Sequence, residues 1–349
     1  MMTNSSVKMK QFPAEWDKRV NTVIIAYPSP KTDWCYMLEE ARNCFDTIIN
    51  TLATECKIRT IVIADYSTVR ARFGSKGFFN NNIRVFDIDY NDTWARDFAP
   101  ITVIDSTTDT PIYLDFCFNG WGMKFAANED NCICRNLNNA GFLNNSLKNN
   151  LDFVLEGGSV ESDGNGTLLT TEKCLLSPNR NPSLSKIEIE ARLKNELGVQ
   201  RVLWLKNGAL EGDDTDSHID TLARFVASDS IAYVKCNNVM DTHFTELNNM
   251  EKELKELRQP NGEPYNLIPL PFPTPIYDDE GRRLPATYAN FLILPEHVLL
   301  PVYNQPENDK SALSVLKKIY PEKEIIPIDC NALIKQHGSL HCITMQMIL

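Results

Sequence analysis

Short β-rich apolar runs and amphipathic helical segments alternate along nearly the whole chain, and no other feature limits its possible folds as much. Residues 22–27 form an apolar run closed by Pro28-Ser29-Pro30. Leu38, Ala41, Phe45, Ile48 and Leu52 then recur at helical spacing, which predicts an amphipathic helix. Runs at 58–64, 83–88 and 101–104 read as further strands, and 112–118 resumes extended structure after a polar turn at 105–110. Asp163-Gly164-Asn165-Gly166 predicts a tight hairpin turn into 167–170. It lacks the later glutamate that a calcium loop needs. Ser185-Lys186-Ile187-Glu188 is a capping box, Ile189, Leu193 and Leu197 continue its helix, and Gly198 stops it. Strands follow at 202–205 and 231–234, and Leu247, Met250, Leu254 and Leu257 mark another helix. Residues 260–275 hold six prolines and read as a rigid extended connector. Paired strands at 288–294 and 298–302, a helix at 312–319 and a strand at 324–328 complete the pattern. The Asn-rich stretch 128–150 gives no clear signal.

Such alternation is the mark of an α/β protein. Its spacing suggests a unit of a few strands and one helix used several times, without any letter-level repeat. No flexible linker divides the 349 residues, so one compact domain over 1–349 is expected, with a polar tail at 1–11. No apolar run is long enough to span a bilayer, and the first residues lack the apolar core of a secretory signal, so no membrane partner is expected. The ten cysteines have no regular spacing. They read as free thiols in a reducing compartment, hence a cytoplasmic location. The pair Cys132 and Cys134 has no second pair to complete a zinc site. A net charge of −11 argues against nucleic acid as the main partner and suits a cationic one.

Four polar segments sit where strands end, the usual place for a site on such a scaffold. Trp94-Ala95-Arg96-Asp97 reads either as a structural Arg–Asp pair beside a surface tryptophan, or as a carboxylate for a planar cation with an aromatic face nearby. Glu156-Gly157-Gly158 is either a turn with a solvated glutamate, or a carboxylate beside glycines that admit another group closely. His218-Ile219-Asp220, taken as extended, places both polar side chains on one face as an acid/base pair. The rivals there are a metal cluster of Asp213, Asp214, Asp216, His218 and Asp220, and a solvated acidic loop. Cys342 follows a Gly-Ser step and has two histidines just before it. If that piece is a strand, His341 faces away from Cys342, and the thiol's partner must be another histidine, with His218 the candidate.

Together these segments resemble one family. The ordered set 91–97, 155–159, Asn179-Arg180-Asn181-Pro182, 218–220 and 341–344 is similar to the agmatine deiminases, relatives of the Porphyromonas-type peptidylarginine deiminases. Phe12-Pro13-Ala14-Glu15-Trp16 and Asn290-Phe291 fit as well. The resemblance implies the pentein fold, five ββαβ units in a pseudosymmetric α/β propeller around a central site. It implies Cys342 as nucleophile, His218 as acid/base and Glu156 as the carboxylate paired with it. Asp97 and Asp220 would grip a guanidinium, Trp94 would line its pocket and Asp214 would meet a distal amine. It implies no metal and no cofactor. The substrate would be a small cationic guanidino compound, agmatine first, with arginine or peptidylarginine as the alternative on the same machinery. A metal-dependent hydrolase and a non-catalytic binder of cationic ligands are the readings of other classes, and homo-oligomerisation is left open. The chain departs from the family at 336–340, where many members carry a run of glycines.

Overall fold

Five small sheets carry the strands among the described residues, which are 10–77, 80–144 and 146–349 of this computed structural model. Each sheet is built on the same plan. Two strands pair antiparallel, a helix crosses over, and a third strand joins parallel to the second. Ile101–Asp105, Thr110–Cys117 and Leu147–Val154 make one such set, with the helix Ile133–Asn139 as crossover. Glu161–Ser162, Thr167–Thr171 and Arg201–Leu205 make the next, around the helix Lys186–Leu197. Ala223–Ala227, Ser230–Val234 and Asn266–Leu270 follow, around Phe244–Glu256. Leu292–Ile293, His297–Val302 and Glu324–Asp329 come next, around Pro306–Ile319. The remaining sheet is split along the sequence. Met345–Met347 pairs antiparallel with Thr22–Ala26, and the helix Leu38–Asn50 then leads to the parallel strand Arg59–Ile63. The repeated ββαβ unit is that of the pentein fold.

The physical basis is burial on both faces. Thr22–Ala26, Ile101–Asp105, Thr167–Thr171 and Ser230–Val234 are buried at every position, so none has the exposed alternate residues of a strand with one solvated face. The crossover helices turn one stripe inward. Lys186–Leu197 begins at the expected capping box, buries Ile189, Leu193 and Leu197, and ends at Gly198 with φ +73°.

Several local expectations are corrected. The proline-rich stretch 260–275 is not a mere connector, because Asn266–Leu270 is a strand. It lies at the edge of its sheet, where Pro269 removes no needed donor. The strand expected over 288–294 shrinks to Leu292–Ile293, because the carbonyls of Ala289 and Phe291 accept hydrogen bonds from Arg224 instead of joining a ladder. A helix at Tyr66–Lys76 has no counterpart in the sequence reading. The quiet 128–150 stretch contains the helix Ile133–Asn139 and the start of a strand. Of the expected polar tail, residues 1–9 lie outside the described residues, and Lys10–Gln11 pairs with Ile101–Asp105. No helix among the described residues is long and apolar enough to cross a membrane.

Candidate active site

One segment just ahead of the first strand of each sheet contributes to a common centre. These segments carry Asp97, Glu156 with Gly158, His218 with Asp220, Asn290, and Cys342. Their contacts close into a ring. The Gly158 N–H donates to Asp97 Oδ1 at 2.9 Å. His218 Nδ1 lies 3.6 Å from the same oxygen, and His218 Nε2 lies 3.6 Å from Glu156 Oε2. Asn290 Nδ2 reaches Asp220 Oδ2 at 3.4 Å, while Asn290 Oδ1 accepts from the Cys342 N–H at 3.2 Å and stands 3.4 Å from its Sγ. The Arg96 N–H donates to the Cys342 carbonyl at 3.1 Å, which returns the ring to Asp97.

Glycine is required at the crossing. A Cβ on Gly158 would stand 2.6 Å from His218 Nδ1 and 2.9 Å from Asp97 Oδ1, and one on Gly157 would stand 2.2 Å from the Arg96 carbonyl oxygen. His218 and Asp220 do meet there, but not as extended residues. A 3-10 turn at Ile219–Thr221 aims both at Gly158. Cys342 likewise lies in a turn, closed by the Thr344 N–H donating to the His341 carbonyl, and the strand starts only at Met345. His341 is turned away from the thiol, between Glu15 Oε2 and Asp220 Oδ2, each at 2.7 Å. The Arg–Asp pair considered for Arg96 and Asp97 does not form. Arg96 Nε donates to the His341 carbonyl, whereas Asp97 Oδ2 accepts from Trp121 Nε1 at 2.9 Å.

The electrostatics follow from burial. Burial pushes the Cys342 thiol up, and the nearby Asp220 and Asp97 carboxylates push it further, well above its ordinary value. For His218, burial pulls the imidazole down, but Asp97, then Cys174 and Glu156, outweigh it and hold it well above the usual range. Burial lifts Asp97, with His218 partly offsetting it. Glu156 is fully buried yet lowered, because Arg180 and His218 outweigh the desolvation. Arg180 Nε contacts both Glu156 oxygens, at 3.0 and 2.8 Å, and its Nη1 holds Asp216 at 2.7 Å. Asp220 Oδ1 and His218 Nε2 are buried without a hydrogen-bond partner, a costly state that a ligand donor or water would relieve.

Above this ring opens a cavity of about 200 Å³ with Cys342 in its wall. Trp94, Trp121 and Phe125 supply aromatic surface. Asp33, Asp92, Asp97, Asp213 and Asp214 supply carboxylates, and no lysine or arginine is among the lining residues described. Trp94 is buried rather than a surface residue. Its indole sits where a Cβ on Gly338 would stand 2.0 Å from the ring, so a glycine at 338 is needed beside it. Asp213 spends its oxygens on the backbone of Thr215 and Ser217, and Asp216 pairs with Lys124 and Arg180. The acidic loop therefore does not gather the metal cluster considered from sequence. Asn290, Trp121 and Arg180 join the site without a role assigned from sequence. Asn290 and Arg180 lie in the segments that carried the resemblance, while Trp121 lies outside every segment singled out from sequence.

A profile of the Porphyromonas-type peptidyl-arginine deiminase family matches residues 11–347. The chain belongs to this family. Among family relatives, the agmatine deiminase of Pseudomonas aeruginosa is 31% identical, over 96% of this chain and 95% of its own. A Porphyromonas gingivalis structure provisionally named an arginine deiminase is 47% identical with a TM-score of 0.88, covering 97% of this chain and 98% of its own. The C. jejuni agmatine deiminase, solved as a Cys-to-Ser variant with substrate bound, is 35% identical with a TM-score of 0.89, covering 98% and 97%.

Proposed function

We propose that this family member hydrolyses the guanidinium of agmatine to N-carbamoylputrescine and ammonia, with Cys342 as nucleophile. The observation that carries the reading is the lining of the cavity, which among the described residues has a thiol in its wall, five aspartates and no lysine or arginine. A substrate cationic at both ends suits such a wall. The carboxylate of free arginine would face these five without a cationic clamp.

In this reading the guanidinium enters beside Asp97 and the unpartnered Asp220 Oδ1. Its positive charge counters the two carboxylates that hold the thiol neutral, and Cys342 gives its proton to solvent water, since His218 is already protonated. The thiolate Sγ attacks the guanidinium carbon to form a tetrahedral adduct. His218, held protonated by its carboxylates, gives its proton to one amino group, the C–N bond breaks, and ammonia leaves. The remaining S-linked thiouronium is attacked by water as the now neutral His218 takes the water's proton. The C–S bond then breaks, and the departing thiolate takes the extra proton of the product, which leaves the ureido compound and the resting thiol. Glu156, fixed by Arg180, orients His218 throughout. A cytoplasmic location belongs to the same reading, supported by ten unpaired cysteines.

The test is ammonia release from agmatine, arginine and a peptide ending in arginine, with wild type and Cys342→Ala. Agmatine should be preferred, and the variant should lose about 10³-fold or more. Activity surviving in the variant would sink the thiol mechanism. A preference for arginine would sink the substrate assignment.

A further inference from the structure

The cavity has a gradient of depth. Cys342 and Asp97 are 7% and 5% exposed, whereas the side chains of Asp214 and His337 are 44% and 29% exposed. The reacting end of a substrate thus belongs at the buried side, and its tail belongs near Asp214 and His337. His337 lies in the 336–340 segment that departs from the family's glycines, and it lines the cavity. Its backbone is in the left-handed region, with φ +66°. Glycine adopts that conformation freely and histidine does not, so the imidazole is kept there against a local strain. The backbone is held by the His337 N–H donating to the Ile334 carbonyl at 3.0 Å. The ring is held by Nδ1, which donates to the Gly212 carbonyl at 2.7 Å. A carbonyl cannot donate, so this contact requires the proton on Nδ1. In the neutral ring Nε2 is then a hydrogen-bond acceptor, and it has no protein partner among the described residues. The same Nδ1 lies 4.0 Å from Asp214 Oδ2.

We infer that His337 is a specificity-determining residue, whose imidazole acts with Asp214 to receive the cationic tail of the substrate. The inference rests on the proposed function and deepens it. An ammonium tail donates to Nε2 and is neutralised by Asp214, while its guanidinium lies against Asp97 and Cys342. A carboxylate tail meets an acceptor and a negative charge instead. His337 thereby favours a dication over a zwitterion.

The experiment compares wild type with His337→Gly, a variant that relieves the backbone strain. Two substrates are used: agmatine, and butylguanidine, which has the guanidinium without the amine. The KM for agmatine should rise about tenfold in the variant, the value for losing a hydrogen bond to a charged group. Its kcat should stay within about twofold, and the butylguanidine KM should not move. The melting temperature should hold or rise, whereas a merely structural histidine would lower it. An unchanged agmatine KM overturns the inference, and so does a parallel rise for both substrates, which marks a collapsed cavity. A wild type inert toward agmatine but active on another guanidino compound would instead overturn the substrate reading beneath it.

Discussion

Cys342 and His218 have opposite needs in the resting site. Carboxylates at Asp97 and Asp220 raise the thiol, and carboxylates at Asp97 and Glu156 keep the imidazole charged. The unliganded site therefore holds a proton on each, and the thiol gains reactivity only at alkaline pH or beside a bound cation. Neutralising one carboxylate should lower the thiol's pKa. In Asp97→Asn, alkylation of Cys342 by iodoacetamide, followed by peptide mass spectrometry at pH 8, should be faster by about threefold or more, although turnover is lost. Equal or slower alkylation would show that Asp97 does not act on the thiol through charge. At this scale the sequence singled out Asp97, Glu156, His218, Asp220 and Cys342, which the fold brings together, because each lies in one of the ordered motifs that carry the family resemblance. Their partners were less legible. Asn290 touches Cys342, and Trp121 touches Asp97, across sequence separations that no local pattern encodes. His341 was rightly set apart from Cys342, but for the wrong reason, since a turn and two buried carboxylates orient it rather than strand alternation.

Between sheets, Arg224 is the main polar tie. It is fully buried on the strand Ala223–Ala227 and forms ion pairs with Glu161 of the neighbouring sheet and with Glu15. It also donates to the carbonyls of Ala289 and Phe291. Glu15 in turn accepts from the Ile293 N–H at 2.6 Å. The Phe-Pro-Ala-Glu-Trp segment thus has a structural use, bracing the sheet edges behind the site. Arg224→Met should destabilise the fold by about 3–5 kcal/mol in urea unfolding, since two buried carboxylates lose their cation. A loss under about 1 kcal/mol would mean that water reaches those carboxylates. Elements with strong local signals, such as the capped helix Lys186–Leu197, were legible from sequence. The helix Tyr66–Lys76 was not, because it buries only Val69 and Phe73. Yet Asp65, whose Oδ1 accepts from the Thr68 N–H, and Gly77 at φ +70° do mark its ends. The strand Asn266–Leu270 was hidden by its prolines, which an edge position tolerates.

Across the molecule, the repeated ββαβ plan was visible only as alternation, since the five units share geometry rather than letters. The split sheet was not visible at all, because pairing 345–347 with 22–24 spans the whole chain. Removal of residues 345–349 keeps Cys342 but takes away the strand that follows it and the partner of Thr22–Ala26. Such a truncation should abolish ammonia release and lower the melting temperature by several degrees, read by calorimetry. Retained activity would show that the turn at 340–343 positions the thiol without its strand.

The split sheet also sets an order in time. During synthesis the segments bearing Asp97, Glu156, His218 and Asn290 emerge from the ribosome first, and each can settle into its own sheet. The thiol and its strand arrive afterwards and must dock against a strand made more than three hundred residues earlier. Until they dock, both the thiol and the 336–338 wall of the cavity are missing, and the pairing of Met345–Met347 with Thr22–Ala26 completes the site.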